Sequence, residues 1–443
     1  GPENVSTKGW ELAVSSANAV SEIEGRAEAV VWPSSADQVS KILAHCSERR
    51  IPVTPRGSGS STSGNAAPVE GGIVISTRKM NRVLEVSRED MLAVVEPGVI
   101  YEELNTELRG LGLFFPPEPA SGSVSTIGGM VGNNSSGFRA VKYGVTRDYV
   151  AGLEVVLPTG EVVALGTRAP KSSIGYDFVR LFVGSEGTLG FFSKITLKLR
   201  PLPEARRTGI CYAESAERAS SAIFDVVASP ARPSAVEYMD SRVLRLLVES
   251  GYPYREAGAA LLLETDGTER AAEDEMSRLE SICRSHGNDF RRVEGGEEEA
   301  LWKGRRSLGA LVAKLSPAVI VGDVDVPVSK LPWMVEEIYR LGDEMKVGLV
   351  VFGHAGDGNL HVNILAGGTD EPSRRKAWDL YAKIMERTIE AGGAIAGEHG
   401  IGVEKREFME AQHGRLALDL MRRVKEAVDP SWIMNPGKIL PNP

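Results

Sequence analysis

Two hydrophobic periods alternate along this chain, and the points where one gives way to the other mark its elements. Residues 29–32, AVVW, read as a short strand, and Ser35 with Gln38 three positions later has the spacing of a capping box. Val39, Ile42, Leu43 and Cys46 then recur at helical spacing, and residues 51–53 return to a strand. This unit runs straight into PRGSGSSTSG, residues 55–64, and continues through NAAPVEGG into the strand GIVIS with no amphipathic helix between. A second helix has its apolar face at Leu104, Leu108 and Leu111. Later runs, GICYA, AVEYM, AALLLET and AVIVGDV, alternate with stretches rich in Ala, Glu, Arg and Leu, the pattern of an α/β sandwich. Residues 415–428 read as a last helix before NPGKIL.

Between these elements lie three segments of small residues. Gly57, Gly59 and Gly64 permit close backbone approach, and Ser58, Ser60, Ser61, Thr62 and Ser63 add hydroxyl donors, so the first segment can cradle a diphosphate or serve as a flexible turn. Without a following helix it fails the Rossmann test. FPPEPASGSVSTIGGMVGNNSSG, residues 115–137, and GSEGTLG, residues 184–190, repeat the composition. Three such segments suit one long, phosphate-bearing cofactor lying extended across a domain.

The densest chemistry lies in VFGHAGDGNLHVN, residues 351–363, and in GEHG, where Glu398 precedes His399. Three of the chain's 6 histidines fall in these two pieces. His354 and His361 flank a glycine-rich turn between apolar runs, so two strands could aim both imidazoles at one point. A histidine beside glycines also commonly caps a turn. With Glu398 added, two His and one carboxylate with open positions is the ligand set of a catalytic divalent metal, and His399 would stand beside it as a base.

Composition excludes several alternatives. Hydrophobic residues at 42% and charged residues at 25% of 443 suit a globular protein of two or three domains. No apolar run approaches the roughly 18 residues of a membrane span. A net charge of -9, without a basic block, argues against nucleic acid. Cys46, Cys211 and Cys283 form neither a disulfide framework nor a CxxC motif, which suits a reducing cytoplasm and leaves no ligands for an iron-sulfur cluster. The first residues show no charged-then-apolar leader pattern, and Gly1-Pro2 reads as an expression scar, so a leader could have been removed.

The motifs PRGSGSSTSG, TIGGMVGNNSSG, YGVTRDYVAGLEVVLPTG, GSEGTLG, GHAGDGNLH, GEHGIG and NPGK, in this order, resemble the FAD-linked oxidases of the vanillyl-alcohol oxidase and p-cresol methylhydroxylase superfamily. Within it the chain looks closest to the group that joins D-lactate dehydrogenase with the flavin-binding component of glycolate oxidase, and D-2-hydroxyglutarate dehydrogenase is a near relative. The resemblance implies an α+β fold: a two-subdomain FAD-binding domain of the p-cresol methylhydroxylase type, residues 1–203, and an α/β cap carrying the metal, residues 204–414. Residues 415–443 would return to the FAD domain, and the active site would lie where the cap's metal loop faces the flavin.

It also implies residue roles. Arg56, Gly57, Ser58, Gly59, Ser60, Ser61 and Gly64 would form the pyrophosphate loop. Pro119, Thr126, Gly128, Gly129, Asn133, Ser136 and Gly137 would form the second FAD segment, and Glu186 and Gly187 the third. No His or Cys near these segments offers a covalent tether, so the FAD should be dissociable. His354, His361 and Glu398 would hold Zn, Mn, Fe or Co, His399 would be the general base, and Arg305 would pair with a substrate carboxylate.

The implied reaction is oxidation of a D-2-hydroxy acid by hydride transfer to flavin N5. Electrons would pass to an external acceptor, whether an electron-transfer flavoprotein, an iron-sulfur subunit or a quinone. In the hydroxyglutarate enzymes a lysine ahead of the D-x-x-x-P segment helps hold a second carboxylate; here the position is Val321, which favours D-lactate over a dicarboxylate, with a glycolate or D-2-hydroxyglutarate dehydrogenase as the alternative. A non-catalytic electron-relay subunit and a metal-independent aryl-alcohol or sugar oxidase are the rivals, and neither would need the His and Glu set. The expected location is the cytoplasm, with peripheral attachment to the inner face of the membrane left open.

Overall fold

The strand-helix-strand opening folds as its pattern requires. Ser35 caps the helix Ala36–Arg49 by accepting from Gln38 N, and that helix buries Val39, Leu43 and Cys46. The computed structural model describes residues 1–19, 23 and 25–441 and divides into two units. The first comprises residues 1–136, 145–202 and 398–443, the second residues 137–144 and 203–397.

The first unit contains two main sheets. In one, β1 (Val5–Ser6), β2 (Ala29–Val31), β3 (Val53–Arg56) and β4 (Ile73–Ser76) take the order β1-β2-β4-β3, with β2 and β3 both parallel to β4. The chain end is drawn in beside β3: Val53 N donates to Ile433 O at 2.8 Å and Asn435 N to Val53 O at 2.7 Å. Ile433 and Met434 thereby join the core formed by Val31, Leu43, Val53 and Ile75. The second sheet is antiparallel, with β5 (Val83–Ser87), β6 (Leu92–Val95), β8 (Val150–Val156), β9 (Val162–Gly166) and β10 (Phe191–Lys198) in the order β5-β6-β10-β8-β9. A small ribbon pairs β7 (Leu113–Phe114) with β11 (Arg200–Pro201). The helix before that ribbon, Tyr101–Arg109, buries Leu104 and Leu108. Leu111, expected on the same face, lies past its end and is exposed, because Gly110 and Gly112 turn the chain out of the helix first.

The second unit is built on one antiparallel seven-stranded sheet. Its strands are β12 (Ala205–Ala213), β13 (Ala235–Asp240), β14 (Ala259–Gly267), β15 (Asp289–Val293), β16 (Val319–Asp325), β17 (Gly348–His354) and β18 (Asn359–Leu365). Their order is β15-β12-β14-β13-β17-β18-β16. β13 is buried along its whole length, so both faces are covered. Because side chains alternate, Ile210, Leu262, Met239, Val350 and Phe352 share one face, where they pack with Leu247, Trp302, Leu308 and Phe138. No helix among the described residues is long and apolar enough to cross a membrane.

Candidate active site

Strand register assembles a cluster of acids and imidazoles within the second unit. Glu237 on β13 pairs across to His354 on β17, Phe352 pairs to His361 on β18, and His361 pairs to Asp323 on β16. Four adjacent strands thus bring one acid, two imidazoles and a second acid onto one face. The hairpin between the histidines depends on glycine: Gly358 has φ of +92°, and a Cβ there would lie 2.0 Å from Val326 O. The imidazole centroids are 5.1 Å apart with rings perpendicular, and a ring nitrogen of each lies within 4.8 Å of the other. Both residues are buried.

Each imidazole has a neighbouring acid. His354 Nδ1 is 2.7 Å from Glu237 Oε1, and His361 Nδ1 is 3.8 Å from Asp323 Oδ1, beyond hydrogen-bonding distance. Asn359 Nδ2 donates to Asp323 Oδ1 at 2.7 Å and so fixes that carboxylate beside β18. Asp325, two positions along, is pushed up to about 7 by burial and by the Asp323 charge. Arg305, on the helix Gly295–Arg306, places Nη2 2.5 Å from Glu237 Oε2, an ion-pair distance without hydrogen-bond alignment. Its guanidinium also lies over the rings of Phe138 and Phe352 at 5.2 and 4.9 Å.

Phe138 belongs to the excursion 137–144, which three polar contacts hold in this unit. Arg139 makes a bidentate pair with Glu264 at 2.8 and 2.8 Å, Lys142 Nζ donates to Asp266 at 2.6 Å, and Tyr143 hydroxyl donates to Asp266 at 2.8 Å. Burial pushes Glu264 up, but Arg139, Arg206 and a hydrogen bond from Ser234 outweigh it and hold the carboxyl at about 2.

Glu398 and His399 belong to the first unit and sit on a loop rather than a strand. Ser136 Oγ donates to Glu398 Oε2 at 3.0 Å, and Asn133 Nδ2 reaches His399 O at 3.4 Å. The loop is pinned just beyond them: Ile401 N and Gly402 N donate to the two oxygens of Glu186 at 2.6 and 2.8 Å, and Val403 N donates to Ser63 O at 3.0 Å. Burial raises the Glu186 carboxyl above its usual range, although both amides oppose the shift. Asn435 Nδ2 ties Asn65 O and Glu186 O together at 2.8 and 2.6 Å. Three residues expected at a cofactor, Asn133, Ser136 and Glu186, therefore have side chains engaged by this loop. Asn65 carried no sequence signal and Asn435 appeared only as the first residue of the NPGK motif, because this link runs through backbone carbonyls.

The loop 57–64 leaves β3 at its C-terminal end and forms neither helix nor ladder. Arg56 lies beneath it, donating to Ala66 O at 3.1 Å and Val14 O at 3.3 Å, and a Cβ on Gly59 would meet its guanidinium at 2.1 Å. Ser58 Oγ donates to Ser60 Oγ at 3.3 Å, and Ser61 is hydrogen-bonded to Asn65. Thr126 caps the short helix Ile127–Asn133 through Gly129 N, while Ile127 N and Gly128 N are taken by Val99 O and Pro97 O, both at 2.8 Å. Gly64 and Gly187 have positive φ, Pro119 O accepts from Gly122 N, and Gly137 opens the excursion in the second unit.

Comparison with known proteins finds two family matches, the second of which runs on from the second unit into the C-terminal part of the first. Residues 27–166 match the FAD binding domain family, and residues 202–439 match the C-terminal domain of the FAD linked oxidases. The glycolate oxidase GlcD protein of Bacillus subtilis (strain 168) is 39% identical, covering 99% of this chain and 94% of that protein. The chain belongs to the FAD-linked oxidases. Mitochondrial D-lactate dehydrogenase (cytochrome) of Arabidopsis thaliana is 37% identical to this oxidase over 94% of the chain and 73% of that protein. The fold is that of p-cresol methylhydroxylase, whose substrate-bound crystal structure matches with a TM-score of 0.84 at 17% identity, covering 99% of this chain and 94% of that one. An FAD-linked oxidase must hold a diphosphate, and the 57–64 loop fits one: it carries hydroxyl and amide donors, and a Cβ on Gly57 would collide with Thr126 at 2.2 Å.

Proposed function

We propose that the chain is an FAD-dependent, metal-assisted D-2-hydroxy-acid dehydrogenase that oxidises D-lactate to pyruvate and passes electrons to an external acceptor. The observation that carries the metal is the pairing of two buried imidazoles on adjacent strands, with His354 Nδ1 facing Glu237 so that coordination falls to Nε2. Imidazole nitrogens are ligands that Zn, Mn, Fe and Co all accept, and His354 and His361 would hold such a cation together. Glu398 is assigned as the third ligand, since a carboxylate completes a two-histidine set with open positions. When bound, FAD supplies a two-electron acceptor and the divalent cation supplies positive charge beside the substrate hydroxyl.

The remaining work falls to the chain's own side chains. His399 accepts the hydroxyl proton, imidazole being the side chain suited to proton transfer near neutrality, while the C2 hydrogen departs with its electron pair and pyruvate forms. Arg305 binds the substrate carboxylate, because one ion pair to Glu237 leaves further donors on a five-donor guanidinium. The 57–64 loop, Thr126 and Gly187 hold FAD without a covalent link. Val321 supports a monocarboxylate: it precedes Asp323 by two positions on β16 and so shares the face of Asp323 and His361. Steady-state kcat/KM for D-lactate, glycolate, L-lactate and D-2-hydroxyglutarate tests the assignment. D-lactate should exceed the dicarboxylate by about 10² or more. A preference for D-2-hydroxyglutarate would overturn it, and a preference for glycolate would move the chain toward the activity named for its Bacillus relative.

A further inference from the structure

We propose that Glu237 is a positioning residue that fixes His354 and Arg305 together, so that one buried carboxylate sets both metal affinity and substrate affinity. The inference rests on the metal reading above and adds a residue with no sequence signature. Glu237 lies mid-strand in AVEYMD and is fully buried among apolar neighbours. Its two oxygens face two different groups, His354 Nδ1 at 2.7 Å and Arg305 Nη2 at 2.5 Å.

The arrangement dictates a tautomer. A neutral imidazole has one N–H, and the carboxylate beside Nδ1 can only accept, so the proton belongs on Nδ1 and the Nε2 lone pair is presented for coordination. Acids placed this way fix ring orientation and raise ligand basicity, and their loss typically weakens metal binding by about 10- to 100-fold. Arg305 supplies the counter-charge that a buried carboxylate requires, and Phe138 and Phe352 hold the guanidinium in place. Strand pairing places the Glu237 and His354 backbones directly opposite each other, so the contact follows from the β13–β17 register.

The contrast with His361 sharpens the point. Its neighbouring acid, Asp323, lies at 3.8 Å and is engaged by Asn359, so His361 has no equivalent short contact with that carboxylate. Glu237 therefore controls one ligand specifically, and its removal should lower affinity without abolishing the site.

The test uses the full-length, FAD-loaded protein and its Glu237→Gln variant. Glutamine keeps the shape and can still accept from Nδ1–H, but it offers Arg305 no charge. Each protein is reconstituted with Zn²⁺ or Mn²⁺ alone and dialysed against graded chelator, with flavin absorbance and thermal melting as controls for folding. The expected result is loss of metal at about 10-fold lower chelator strength and a KM for D-lactate raised about 10-fold, with FAD content unchanged. Glu237→Asp, which keeps the charge, should recover most of the KM. Equal metal retention and equal KM in wild type and Glu237→Gln would overturn the inference.

Should the variants fail to fold, ¹⁵N-histidine NMR of the metal-free wild type decides the matter. His354, assigned by its disappearance in His354→Gln, should carry its proton on Nδ1; a proton on Nε2 contradicts the proposal. Failure of the parent reading looks different: wild type itself would take up no stoichiometric metal.

Discussion

The two stretches that carry the candidate chemistry are held by opposite means. His354 and His361 project from paired strands that are buried along almost their whole length, and His354 Nδ1 lies 2.7 Å from the Glu237 carboxylate. Glu398 and His399 sit on a loop whose position is set by backbone amides donating to Glu186 and a carbonyl of Ser63. A ligand on a central strand moves only when the sheet opens, which costs close to the global unfolding free energy, whereas a loop of this kind opens at much lower cost. The strand-borne pair is suited to holding something fixed. The loop is suited to side chains that must adjust.

The largest expected break in this comparison comes from removing His399, the base proposed above. His399→Ala should retain flavin and metal yet slow flavin reduction by D-lactate by about 10²-fold or more in stopped flow. Undiminished reduction would take His399 out of the reaction and leave the loop a structural role only.

Weakening the loop's anchor should have a smaller effect of the same kind. Glu186→Gln replaces one of two acceptor oxygens with an amide that cannot accept from Ile401 or Gly402, so kcat should fall about tenfold while FAD remains bound. Amide hydrogen exchange at 398–403 should quicken in that variant while β17 and β18 stay protected. Equal exchange in both proteins would show that Glu186 does not hold the loop.

A third test concerns stability rather than rate. Glu264 is held at about 2 in the folded protein, below the ordinary carboxylate value near 4.3, so the folded state binds its proton less readily than the unfolded chain. Its contribution, up to about 3 kcal/mol, is present above pH ~4.5 and fades as the pH falls toward 2. Glu264→Gln should therefore be less stable at pH 7 and show a shallower loss of denaturation midpoint between pH ~4.5 and ~2. Parallel curves for the two proteins would mean that the Arg139–Glu264 pair does not secure the 137–144 excursion.

What the sequence displayed and what it concealed follow from the range of each interaction. The opening helix was legible because Ser35, Gln38 and the apolar face are local, and the helix Arg415–Val428 for the same reason. The approach of His354 to His361 was legible too, since a glycine-rich hairpin joins the strands that bear them. Glu237 was not, because an acid in AVEYMD gains its meaning only from the β13–β17 register, across more than a hundred residues. Glu186 was hidden differently: it lies inside a glycine-rich motif that points to cofactor binding, while its partners are backbone amides of any residue type. The excursion 137–144 joins the second unit through Arg139, Lys142 and Tyr143, polar residues whose periodicity signals neither helix nor strand.

The central claim is that the histidine pair holds a metal needed for turnover. It is tested most directly by measuring metal content and D-lactate-dependent flavin reduction together, in wild type before and after exhaustive chelation and in His361→Ala. The account predicts about one equivalent of divalent metal in wild type. Chelation should leave the flavin spectrum intact and stop reduction until metal is restored, and His361→Ala should have lost both metal and reduction. Full-rate flavin reduction in metal-free wild type would contradict it.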